Sequence, residues 1–141
     1  MIIFLDCDGV INRIGSSVEV DITCVKVLAK VVKSLNAEVV LTSTWRFGYT
    51  HNFDLCATNI KYLRSICKDL GFDIEGRTKN LGNRYNEILD WLTRNNEFNY
   101  IILDDDKNEF PNIEDSRVYW VNSKTGLVEK DIRKILKLSR L

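Results

Sequence analysis

The sequence is poor in residues that punctuate or cross-link a chain. One proline and seven glycines in 141 residues are too few for a proline-rich linker, a collagen-like repeat or a low-complexity disordered segment. A single histidine, His51, excludes a two-histidine metal centre and leaves any Ser-His-Asp triad dependent on that residue; in its polar surroundings it reads as incidental. Excess charge of one sign is also missing, since twenty Lys plus Arg balance twenty Asp plus Glu. No global field draws the chain to nucleic acid or an anionic membrane, so polyanion binding must be local. No apolar run approaches the roughly 20 residues of a membrane helix. Met1-Ile2-Ile3-Phe4-Leu5 meets Asp6 without the basic start or long apolar stretch of a signal peptide, and a soluble, cytoplasmic protein is expected. Cys7, Cys24, Cys56 and Cys67 contain no Cys-x-x-Cys pair, so they read as free, buried thiols rather than zinc ligands or disulfides.

What is present is a globular composition, 45% hydrophobic and 28% charged, at a length that suits one domain over 1–141. Ile2 to Leu5 predicts a short strand buried on both faces. Ile22, Val25, Leu28, Ala29, Val32 and Leu35 recur at helical spacing, with Asp21 as N-cap and Asn36 as the stop. Glu38 to Ser43 predicts a second strand, completing a βαβ unit. Trp45 to Asn52 reads as loop, Leu55 to Leu70 as a helix ending at Gly71, and Phe72-Asp73-Ile74 as a short strand. Tyr85, Ile88, Leu89 and Leu92 mark a further helix. Tyr100 to Leu103 is a strand running into Asp104-Asp105-Asp106, Arg117 to Val121 is a fifth strand, and Ile132, Ile135, Leu136 and Leu138 close the chain as a helix. The alternation predicts a three-layer, Rossmann-like α/β fold with a mostly parallel sheet and helices on both faces.

In such sheets ligands bind outside the carboxyl ends of the strands, where strand order reverses. Asp6, Asp8, Thr42, Ser43, Asp104 and Asp105 all fall at predicted carboxyl ends. Asp6 and Asp8 point the same way if the chain stays extended, and Gly9 permits a tight turn beyond them. Adjacent anions repel unless a cation or a proton compensates, and Mg²⁺, which takes hard oxygen ligands, is the natural compensator. Six acidic residues from Asp104 to Asp115 against Lys107 alone make the other strand end anionic as well. Thr42, Ser43 and Thr44 offer hydroxyls to phosphate oxygens or to their own turn. Arg46 offers a planar fork that matches phosphate. Lys79 and Arg84 flank a helix start, where the dipole disfavours a cation, which hints at an anionic partner.

These residues resemble the motifs of the haloacid dehalogenase (HAD) superfamily of aspartyl-nucleophile phosphohydrolases. Asp6-Cys7-Asp8-Gly9-Val10 is similar to its first motif, Ser43 or Thr42 to its second, Lys79 or Arg84 to its third and Asp104-Asp105 to its fourth, in the family's order. Leu41-Thr42-Ser43-Thr44-Trp45-Arg46 and Arg84-Tyr85-Asn86-Glu87-Ile88, with Trp91-Leu92, narrow the resemblance to small HAD-like domains of RNA-repair proteins. The resemblance implies Asp6 as nucleophile forming an aspartyl-phosphate and Asp8 as general acid and then base. It also implies Mg²⁺ held by Asp6, the backbone carbonyl of Asp8 and Asp104 or Asp105, with Thr42, Ser43, Arg46 and Lys79 or Arg84 holding phosphoryl oxygens. The intervals between motifs hold core helices but no large cap domain, so an open site is expected, suited to a phosphate on a bulky carrier. From Lys124 on, six basic residues stand against Glu129 and Asp131, a local +4 compatible with nucleic acid or with a solvated helix face. A phosphorylated nucleic-acid end or nucleotide is the leading substrate. The rivals are a phosphoprotein or small phosphate ester, and a non-catalytic Mg²⁺- and phosphate-binding module of the same fold.

Overall fold

The computed structural model describes residues 1–110 and 116–140. Glu114 and Asp115 of the acidic run lie outside these residues. The elements follow as β1 (Ile2–Leu5), α1 (Ile22–Leu35), β2 (Glu38–Leu41), α2 (Thr58–Asp69), β3 (Ile74–Arg77), α3 (Arg84–Arg94), β4 (Tyr100–Asp104), β5 (Val118–Trp120) and α4 (Glu129–Leu138), with short 3-10 turns at Thr44–Gly48, Phe53–Leu55 and Lys107–Glu109. The five strands pair in the order β3-β2-β1-β4-β5, all parallel. The order reverses at β1, so the binding crevice belongs beyond the carboxyl ends of β1 and β4.

Strand alternation sorts the core into two layers. Ile3, Leu5, Val39, Leu41, Ile101 and Leu103 pack with α1, α2 and α4, whereas Ile2, Phe4, Val40 and Ile102 pack with Ile88 and Leu92 of α3. The expected architecture is present, with helices on both faces and no separate cap domain among the described residues. Among the described residues one helix, α3, serves the second face. Leu89, expected on its buried stripe, is 38% exposed, because Ile88 and Leu92 make that contact instead.

Local chemistry explains the boundaries. The Asp21 carboxylate accepts from Thr23 N at 2.9 Å, and Asn36, at φ 48°, closes α1 in the left-handed region. Both ends fall where the sequence places them. Leu55 is not in α2: the Asn52 side chain caps a separate 3-10 turn, Cys56 returns to extended backbone, and Leu55 is left exposed. The third strand starts at Ile74 rather than Phe72, because Asp73 is engaged by Arg64 and by the N–H of Ile74. Its register against β2 shifts between Val39 and Val40, which pair with Ile74 and Gly76, so Glu75 bulges from the edge strand. All four cysteines are free and buried. No helix among the described residues is long and apolar enough to cross a membrane.

Candidate active site at the carboxyl edge of the sheet

The alternation that aims Phe4, Val40 and Ile102 at α3 continues one step beyond the core. It brings Asp6, Thr42 and Asp104 to the same face at the carboxyl edge. Asp6 is 6% exposed and Asp104 is fully buried. The Asp6 N–H donates to Leu103 O at 3.0 Å, and the chain then turns tightly as the Val10 and Ile11 N–H groups donate to Cys7 O. Gly9 holds φ +81°, and a Cβ there would lie 2.2 Å from Asp105 Oδ2. The glycine therefore supplies both the turn and the room for Asp105 above it.

Carboxylate oxygens of Asp6, Asp104 and Asp105 lie within 4.8 Å of one another. One guanidinium opposes them: Arg84 Nη1 is 3.3 Å from Asp6 Oδ1 and 2.8 Å from Asp104 Oδ2. Burial, with the Asp104 charge and the Asp105 hydrogen bond adding, pushes the Asp6 carboxyl up to about 9, and Arg84 offsets only part of this. Burial likewise raises Asp104 despite Arg84. Burial works against the Arg84 cation, but the Asp104 and Asp6 charges prevail and hold its pKa above the usual value. The cluster thus has hard oxygen donors and more anionic character than one arginine neutralises. That donor set fits Mg²⁺.

Asp8 is placed differently. The chain does not stay extended after Asp6, so the two carboxylates do not point alike, and Asp8 is exposed and outside the cluster. Each of its oxygens is held: Asn12 Nδ2 donates to Oδ1 at 3.1 Å and Trp45 Nε1 donates to Oδ2 at 3.3 Å. Asn12 is itself buried and fixed, accepting from Gly9 N at 2.8 Å and donating to Glu19 O at 2.7 Å. Its site role was not read from the sequence. The signal for it is a lone amide following Val10 and Ile11, where a buried polar group needs partners.

The remaining expected residues divide. Of the two cations expected for the third motif, Arg84 reaches the carboxylates, whereas Lys79 is exposed just beyond the end of β3. Thr42 is fully buried with its hydroxyl lacking a partner among the described residues, and the Ser43 hydroxyl accepts from Trp45 N at 3.0 Å as the cap of the 3-10 turn. Arg46 does not present a free fork. It is 5% exposed, pairs with Glu87 at 3.1 Å and donates to Thr42 O and Ser43 O at 3.1 and 2.9 Å. Glu87 also accepts from Leu81 N at 2.8 Å. Arg46 is a strut that ties the end of β2 to α3, and Glu87 is the partner that a reading by motif alone leaves out.

A parallel α/β sheet with clustered carboxylates and a cation at its switch point defines a capless HAD-type hydrolase core. Residues 2–132 match the family model described as the HAD domain in Swiss Army Knife RNA repair proteins, and the chain belongs to that family. Among curated proteins and among solved structures, none matches the chain significantly.

Proposed function

We propose that the protein is a Mg²⁺-dependent phosphomonoesterase that works through an aspartyl-phosphate, with a phosphorylated nucleic-acid end or nucleotide as substrate. The observation that carries this reading is the buried Asp6 carboxylate, set among Asp104, Asp105 and Arg84 at the switch point. An Asp6 oxygen attacks phosphorus as the bond to the leaving oxygen breaks, and Asp8 supplies the proton which that oxygen needs. Asp8 then takes a proton from water, the water oxygen attacks phosphorus, and the bond to Asp6 breaks to release inorganic phosphate. Arg84 offsets negative charge beside the nucleophile throughout. Asp6, Asp104 or Asp105 and the backbone carbonyl of Asp8 would hold Mg²⁺, whose charge screens the repulsion between carboxylate and phosphate.

The exposed position of Asp8 suits a proton donor that must meet leaving groups of different size, and the absence of a cap domain leaves the edge open to a large carrier. The family's setting in RNA repair supports a nucleic-acid end over a metabolite. The test is phosphate release from p-nitrophenyl phosphate and from 5′- and 3′-phosphorylated oligonucleotides, with and without Mg²⁺, by wild type and Asp6→Asn. Mg²⁺-dependent, Asp6-dependent release that favours an oligonucleotide is expected. Preference for a phosphopeptide or a sugar phosphate would replace the substrate class, and silence on every ester would favour a non-catalytic binding module.

A further inference from the structure

On the α3 face, the edge strand β3 is left partly uncovered. A cleft of about 490 Å³ runs there between the Tyr49–His51 loop and the carboxyl-terminal part of α3, and Gly76, Arg77, Lys79, Trp91 and Arg94 are among the residues lining it. The register shift at Glu75 brings Gly76 opposite Val40, which faces α3. A side chain missing at that position leaves the floor open: a Cβ on Gly76 would meet only Trp91 Nε1, at 3.8 Å. Trp91 packs edge-on against Phe4, with ring centroids 5.7 Å apart, and stays half-buried. Three permanent cations face one carboxylate, Glu75, around this cleft. Arg94 pairs with Asp90, whereas neither Arg77 nor Lys79 has an ion-pair partner among the described residues. In a chain with no net charge, this is a local concentration of positive charge beside an aromatic ring.

We propose that this cleft is a subsite for single-stranded nucleic acid, holding the nucleotides next to the phosphorylated end; it rests on the phosphatase reading above for what happens to that end. Cations tracking a backbone together with an aromatic ring for a base are the combination that single strands require. The position agrees. Thr78, at the upper end of the cleft, donates its N–H to Leu41 O at the carboxyl edge of the sheet. With strands about 4.8 Å apart, β3 stands roughly 10 Å from β1 and Asp6, a span of roughly three stacked nucleotides. A duplex offers no unstacked base to Trp91, and an acidic peptide would use the cations but not the ring. The basic stretch on α4 lies on the other face, where its Glu129 pairs with Lys30, and is not part of this surface.

The test reads binding apart from turnover. Fluorescence anisotropy in EDTA with unphosphorylated single strands of about ten nucleotides, ribo- and deoxyribo- in separate arms, should show salt-dependent binding, and the two arms rank the sugars. Arg77→Gln should weaken it several-fold and reduce the slope of log K against log salt by about 0.7. Gly76→Val, which fills the floor in an edge strand that favours β-branched residues, should weaken it as well. Lys137→Gln on α4 should leave it unchanged, and both cleft variants should hydrolyse p-nitrophenyl phosphate at the wild-type rate. Absence of binding, binding by both cleft variants as tight as by wild type, or tighter binding of a phosphoserine peptide would overturn the proposal. Hydrolysis without oligonucleotide binding would remove the cleft and keep the phosphatase; cleft-dependent binding with no hydrolysis of any ester would do the reverse.

Discussion

Asp6 combines burial with two carboxylate neighbours, and this makes the consequence of its replacement unusual. Asp6→Asn keeps the shape and puts a neutral amide in place of a carboxyl that burial and Asp104 hold up to about 9, so that without metal it carries little charge at neutral pH. Turnover should fall by at least roughly 10³-fold, while the melting temperature of the metal-free protein should equal or exceed that of wild type. Calorimetry beside an activity assay checks both, and residual turnover near wild type would remove Asp6 as nucleophile. Asp8 predicts a different pattern. With the proton transfer proposed for it, Asp8→Asn should slow alkyl phosphates by about 10²–10⁴-fold and p-nitrophenyl phosphate much less. Equal losses across leaving groups of graded pKa would assign Asp8 to positioning instead.

Between elements, two ion pairs set the expected energetics. Arg46 and Glu87 are nearly inaccessible and join β2, α3 and the loop at Leu81, so Glu87→Ala, which strands a buried guanidinium, should cost about 3–5 kcal/mol in urea denaturation. Arg64 and Asp73 join α2 to the start of β3. Burial acts to raise the Asp73 carboxyl, but hydrogen bonds from Arg64 and Ile74 N and the Arg64 charge prevail and hold it below 3.8. The folded state therefore resists protonation that the unfolded chain accepts. The pair's stability is present above about pH 4 and is lost as pH falls further, so Asp73→Asn should flatten the acid limb of stability against pH. The same elements show what a sequence reveals. Strands β1 and β4 were legible with their terminal carboxylates because continuous apolar runs end abruptly at Asp6 and Asp104. Strand β3 was misplaced because its residues, Ile74-Glu75-Gly76-Arg77, are those of a bulged edge and carry no apolar run. Arg46 fits a phosphate fork by residue type alone, and only the fold brings Glu87, forty-one positions later, against it. Asn12 was missed for a related reason: its partners Asp8, Gly9 and Glu19 meet only once the turn after Asp6 is closed.

For the whole molecule, the cation proposed for the carboxylate cluster would link its binding to folding. An ion that binds only the folded state stabilises it by about 2.7 kcal/mol at a hundred times its dissociation constant. Mg²⁺ should therefore raise the melting temperature of wild type in a concentration-dependent way and do so far less for Asp104→Asn; equal shifts in the two proteins would place the cation elsewhere. The indole of Trp45 has a further use. Its N–H rests on the carboxylate expected to serve as proton donor, so any swing of Asp8 toward a leaving group must break that contact. Emission from Trp45, isolated by comparison with Trp45→Phe, then becomes an internal optical signal for when Asp8 engages substrate, allowing that motion to be timed in a stopped-flow trace without an attached dye.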